Sequence, residues 1–268
     1  MIIETREDIV RVSGSLHKNQ WMTIKAAANL LLQNYPHGII IDCGELSEIS
    51  PDGARTFMEA MRDIEAAHAR IIVANLPENV LKVVKTVPGI RSQLPIAHSV
   101  AEARASLNAI YSPAAPAPAL KEGAVRAAVI VVPLLADLDL TYGAHLAGRL
   151  ARGGKSEIRL VYVMEVARNL PLNAPMLEAE KAAQTTLELA LQYAKQYNVP
   201  TFPHIERVRE AADGILAAVK LHCADTIVMG AASEPMGNES HEEFHNLVDT
   251  LLHRASCEVL IGRLKPPA

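Results

Sequence analysis

Short runs rich in Ile and Val alternate with amphipathic helical segments along almost the whole chain, and the alternation restarts once. No other feature constrains the fold as much. Strands separated by helices cannot pair as hairpins. Each returns by a right-handed crossover, which yields a mostly parallel sheet with helices on its faces. The restart falls at residues 111–124, where proline and alanine alternate without an apolar period. That composition predicts an extended, semi-rigid spacer between two folded units, 1–110 and 125–268. A chain of 268 residues has room for two domains.

Half the residues are apolar and 21% are charged, as in an ordinary globular protein. The formal net charge of −4, with no basic block, argues against nucleic acid as a partner. Cys43, Cys223 and Cys257 are odd in number and far apart, each in or beside an apolar segment. This pattern predicts reduced, buried thiols rather than a disulfide framework. The first residues lack the basic head and apolar run of a signal peptide, and the most apolar window, 127–136, is too short to cross a bilayer. The expectation is a cytoplasmic protein without membrane insertion.

In the first half, strands are expected at 9–12, 38–42, 70–74 and 95–97. Between them, helices are expected at 19–33 (Trp21, Ile24, Ala28 and Leu31 or Leu32 on one face), 51–67 (Phe57, Met58, Met61, Ile64), 77–87 and 100–110. The run Ile39-Ile-Ile-Asp-Cys-Gly-Glu-Leu-Ser-Glu-Ile-Ser-Pro-Asp-Gly-Ala54, the run Ile71-Ile-Val-Ala-Asn-Leu-Pro77 and the closing His98-Ser-Val-Ala-Glu-Ala103 resemble a STAS domain. This is the small α/β module of anti-sigma-factor antagonists and of the cytosolic tails of sulfate transporters. The resemblance implies a mixed sheet with helices and a role in binding protein partners. The family's regulatory turn is Asp-Ser-Ser-Gly, phosphorylated on its first serine by a partner kinase. Here that turn is Ser50-Pro51-Asp52-Gly53, so Pro51 stands at the acceptor place and offers no hydroxyl. Read without the family, the same residues begin a helix. Ser50 caps it, Pro51 supplies φ near −65° and Asp52 complements the dipole.

The second half repeats the alternation more regularly. Strands are expected at 125–134, 157–163, 202–208, 226–229 and 258–261, with helices at 139–152, 177–197, 213–222 and 241–254. Residues 125–264 resemble a universal stress protein domain, which implies a doubly wound, mostly parallel sheet of the adenine-nucleotide alpha-hydrolase-like kind. ATP-binding members carry Gly-x2-Gly-x9-Gly-Ser/Thr after the fourth strand. Here Gly230 matches the first glycine, Ser233 stands at the second and His245-Asn246 at the last pair, in a loop two residues longer. Pro133, Val163 and Met229 match the adenine end of the family site, and their alternative role is sheet core. Leu135 occupies the place of the acidic ribose ligand, and Asp137 lies two residues too late. The resemblance therefore implies a degenerate site, with no cofactor or at most a weakly held adenine nucleotide or phosphate.

One further motif is a literal H-E-x-x-H, His241-Glu242-Glu243-Phe244-His245. On a helix the two histidines share a face, and Glu242 could serve a zinc-bound water as base. The third-ligand position six residues beyond His245 is Leu251, so an accidental match is expected and no metal site. The sequence reading is a non-catalytic signalling or stress-response protein. It binds protein partners through its first unit and forms a homodimer through its last strand. An adenine-nucleotide sensor with a variant phosphate loop is the alternative, and a metallohydrolase the remote one.

Overall fold

The structure, a computed structural model, describes residues 1–67, 69–90, 93–109, 127–135, 138–153, 155–232 and 238–264, excepting the side chains of 238–241. The expected linker at 111–124, Ser233 and Asp137 lie outside the described residues. The chain divides into two compact units. The first is Met1–Pro113 with Val166–Glu180, and the second is Ala114–Glu165 with Lys181–Ala268.

The first unit is a mixed sheet. Strands β1 (Ile2–Arg6) and β2 (Ile9–Leu16) form an antiparallel hairpin whose turn takes Glu7 to φ 54°. Arg104 clasps that turn, reaching Asp8 at 3.1 Å through Nε and Glu7 at 3.0 Å through Nη2. Beyond it, β2 pairs in parallel with β3 (Gly38–Asp42) and β4 (Leu46–Ile49), β3 with β5 (Arg70–Ala74), and β5 with β6 (Ile96–Ala97).

Strands β3 and β5 read as unbroken apolar runs because both faces are covered. Ile39, Ile41, Ile71 and Val73 pack with α1 (Trp21–Asn34), α2 (Pro51–Ala66) and α3 (Glu78–Val84). Ile40 and Ile72 face the other way, onto Ala103 and Leu107 of α4 (Val100–Asn108). Trp21 closes the helical side, donating from Nε1 to Asp63 at 2.8 Å beside Lys25 Nζ at 2.7 Å. Those two hydrogen bonds, Lys25 first, hold the Asp63 carboxyl below its ordinary range.

Two short strands of this sheet, β1 and β4, are not legible in the periodicity. β1 is exposed at four of its five residues, and β4 is four residues long. Both exist through their pairing with β2, which bends at Gly14 (φ 86°) to accommodate β4.

The second unit is a five-stranded parallel sheet in the order β11-β10-β7-β8-β9. The strands are β7 (Ala128–Leu134), β8 (Ser156–Glu165), β9 (Thr201–Val208), β10 (Thr226–Ala231) and β11 (Glu258–Arg263). The helices are α5 (Leu140–Ala151), α6 (Leu177–Lys195, whose residues up to Glu180 group with the first unit), α7 (Ala211–His222) and α8 (Asn238–Arg254). Helices α7 and α8 cover one face, where Val131, Val161, Ile227 and Met229 meet Ile215, Val219 and Leu251. The order of connection reverses at β7, which lies between β8 and β10. Such a reversal opens a crevice at the carboxyl ends of the strands.

The cysteines depart from expectation in part. Cys43 is buried, and its thiol is pushed far up by burial and by Asp42. Cys257 is half-buried, whereas Cys223 is exposed in the left-handed position that ends α7.

Candidate functional site

At the carboxyl end of the second sheet lies a cleft of about 420 Å³. Leu135 and Leu138 enter it just past β7, Glu165 at the end of β8, and Glu210 with Ala211 at the start of α7. Helix α8 closes it with Glu243, Phe244, Asn246, Leu247 and Thr250. Glu165 also accepts from the Ala211 amide at 2.9 Å, which satisfies one of the free donors of α7. The lining is thus an apolar floor with three carboxylates. Glu165 and Glu210 stand where an open α/β sheet presents side chains to its crevice, directly after a strand. That position was the signal by which the sequence could have disclosed them.

Of the described residues matched to the nucleotide site, only Leu135 and Asn246 line this cleft. Pro133, Val163 and Met229 are buried within β7, β8 and β10, with their side chains in the sheet. Gly230 is also a strand residue, and its bare Cα serves packing. The Asp139 amide donates to its carbonyl at 2.9 Å, and a Cβ there would sit 2.3 Å from the Asp139 carbonyl oxygen and 2.7 Å from the Gly143 amide nitrogen. Only glycine lets the start of α5 approach β10 so closely. Asp139 itself caps α5 by accepting from the Tyr142 amide at 2.9 Å.

His245 and Asn246 fall well inside α8, which starts at Asn238, a turn earlier than expected. Backbone amides that deep in a helix are bonded to carbonyls four residues back and cannot cradle a phosphate. Glu242 and His245 are exposed on the same helix, and the His241 side chain lies outside the described residues. Among the described residues no group of three His, Cys, Asp or Glu side chains is placed to hold a metal ion.

In the first unit, Ser50-Pro51-Asp52-Gly53 forms the start of α2 with Pro51 at its first position. Ser50 Oγ accepts from the Gly53 amide at 2.9 Å and donates to the His17 carbonyl at 2.6 Å. The Ser50 hydroxyl is therefore engaged on both sides, as capping requires. Pro51 and Asp52 are exposed, and Arg55 lies 3.4 Å from the Asp52 carboxylate. Gly53 is buried against the Leu16 carbonyl.

The STAS domain model matches residues 1–103, and the Universal stress protein family model matches residues 127–263. The chain belongs to the universal stress protein family. Its STAS and stress-protein domains together mark a stress-response or signalling protein. STAS domains generally mediate protein interactions, and universal stress proteins often form oligomers.

Among solved structures, this family member is similar to the universal stress protein from Archaeoglobus fulgidus, at 16% identity and TM-score 0.41, over 51% of this chain and 98% of that one. A structure of the Archaeoglobus fulgidus protein in complex with dAMP matches at 17% identity and TM-score 0.39, over 50% and 96%. A universal stress protein family member from Burkholderia pseudomallei matches at 23% identity and TM-score 0.39, over 50% and 95%. No curated protein matches. No helix among the described residues is long and apolar enough to cross a membrane.

Proposed function

We propose that the chain is a non-catalytic cytoplasmic signalling protein that acts through protein contacts. In this reading the STAS unit presents the exposed turn at 50–53, and the stress-protein unit self-associates. The observation that carries it is the lining of the cleft at the end of the second sheet. Leu135 stands where the family resemblance implies an acidic ribose ligand, and Glu165, Glu210 and Glu243 line the same space. Loss of a charge-assisted hydrogen bond costs about 1.5–3 kcal/mol, or roughly tenfold to a hundredfold in affinity. The carboxylates would also repel a triphosphate, and the amides of His245 and Asn246 are spent within α8.

Calorimetric titration with MgATP is expected to give a dissociation constant weaker than about 100 μM. The retained cleft is the feature that favours the second reading, an adenine-nucleotide sensor. A constant in the low micromolar range, or nucleotide retained through purification, would establish that reading and defeat the first.

Self-association is assigned to β11. This strand ends the sheet order, and it exposes Leu260 and Ile261 at 40% and 39%. An apolar edge with unpaired backbone groups invites a second strand. Light scattering at micromolar concentration should show a homodimer, and Leu260→Lys should convert it to a monomer with unchanged circular dichroism. A monomeric wild type, or a Leu260→Lys dimer, refutes the assignment.

A further inference from the structure

Residues 166–180 lie within the span matched by the stress-protein family, yet they group with the STAS unit. The chain therefore leaves the second unit directly after β8, enters the first, and returns partway along α6. Glu180, in the first turn of that helix, is the last residue on the side of the first unit. It is 2% exposed, and its counter-charge Arg70, at the start of β5, is 1% exposed. Arg70 Nη2 lies 3.6 Å from Glu180 Oε1. Ser106 of α4 bridges the pair, accepting from Nη2 at 3.0 Å and donating to Oε1 at 2.5 Å. Arg70 also donates to the carbonyls of Ser106 at 2.7 Å and Asn173 at 3.1 Å. A guanidinium does not shed its proton, so removing Glu180 would leave a buried charge uncompensated.

The rest of α6 belongs to the second unit. Ala183, Leu187, Ala190 and Ala194 recur on one face, and none is more than 1% exposed. Tyr193 meets the His145 ring of α5 edge-on at a centroid distance of 5.0 Å. Tyr197, just past the helix end, shares a hydrogen bond of 2.7 Å with His145 Nδ1. One uninterrupted helix thus has its first turn held by the buried charges of one unit and its later turns by the packing of the other. Helix formation is cooperative, so releasing the first turn weakens the turns that follow.

We propose that α6 couples the stabilities of the two units through the Glu180–Arg70 pair. A protein partner bound by the STAS unit then also stabilises the stress-protein unit, and linkage makes the effect reciprocal. This coupling is independent of whether the cleft holds a ligand.

Hydrogen exchange of the full chain, read by mass spectrometry, tests it. Ile24 is buried on α1 in the first unit, and β10 lies in the second. Ile24→Val removes one buried methylene, so the slowest amides of β3 should exchange about fivefold faster. The slowest amides of β10 should accelerate by about the same factor, because the units open together. In a Glu180→Ala background, Ile24→Val should again speed β3 about fivefold but leave β10 within about twofold. Glu180→Gln, which keeps the volume and removes only the charge, serves where Glu180→Ala does not fold. A β10 response to Ile24→Val below about twofold in the wild-type background would overturn the proposal, and so would one above about twofold once Glu180 is replaced.

Discussion

Gly53→Ala is expected to destabilise the first unit by about 3 kcal/mol, the upper end of the usual cost of overpacking. A Cβ at this position would lie 1.9 Å from the Leu16 carbonyl oxygen and 2.7 Å from its carbonyl carbon. Neither atom can yield. The Leu16 carbonyl accepts from the Ser50 amide at 3.0 Å, so the end of β2 is tied to the turn that starts α2. Relief requires the whole first turn of α2 to withdraw, which breaks both hydrogen bonds of Ser50 Oγ and uncovers the inner stripe of Phe57, Met61 and Ile64.

The chain has a single tryptophan, and Trp21 is buried in this unit, so its fluorescence reports the unit by itself. With a urea slope of about 1.5 kcal/mol per molar, the midpoint should fall by about 2 M. A shift under 0.5 M would show that the helix start can move without cost.

The second unit should be acid-sensitive through His222, with up to about 3 kcal/mol of stability at stake. His222 ends α7, is 2% exposed, and its Nε2 finds no hydrogen-bond partner among the described residues. Its ring meets His204 of β9 edge-on at a centroid distance of 6.0 Å. The ionisable groups nearby include Arg159, bonded to Glu157 of the same strand at 2.6 Å, and His204, 2.7 Å from Glu206. Burial first, then Arg159 and then His204, push the imidazole down from 6.5 to about 4.

The folded state therefore prefers neutral His222, and between pH 6.5 and 4 the unfolded chain binds the extra proton. Stability is full above about pH 6.5 and is lost as pH falls towards 4. A shift of that size corresponds to up to about 3 kcal/mol at 1.36 kcal/mol per unit. Replacing the imidazole by an apolar side chain, His222→Leu, removes this dependence. The ratio of wild-type to variant hydrogen-exchange protection in β10 should change by about a hundredfold between pH 7 and pH 4. A ratio that stays constant across that window would mean that His222 is already charged in the folded protein.

The readable elements are those whose environment repeats along the chain. Gly38–Asp42 and Arg70–Ala74 are covered on both faces, so their apolar runs announced them. All nine elements among the described residues of the second unit stood in the sequence as alternating strands and helices, with errors of only a few residues at their ends. The site was less legible. Leu135 and Asn246 do reach the cleft, but Pro133, Val163 and Met229 contribute only core there, and Gly230 answers to the approach of α5. The carboxylates that give the cleft its charge come from positions 165, 210 and 243, and nothing in the local sequence of one refers to the others.

The amino-acid sequence alone determined the order of elements apart from β1 and β4, the division into two α/β units and the family of each, because helix and strand periods are properties of neighbouring residues. Tertiary structure alone decided that residues 166–180 join the STAS unit, that Gly53 and Gly230 must lack a Cβ, and that His222 is kept neutral. Each of these depends on atoms brought together from distant parts of the chain. Arg70 and Glu180 are an example, an ion pair whose members carry no mark of each other in sequence and become partners only when burial leaves them no water.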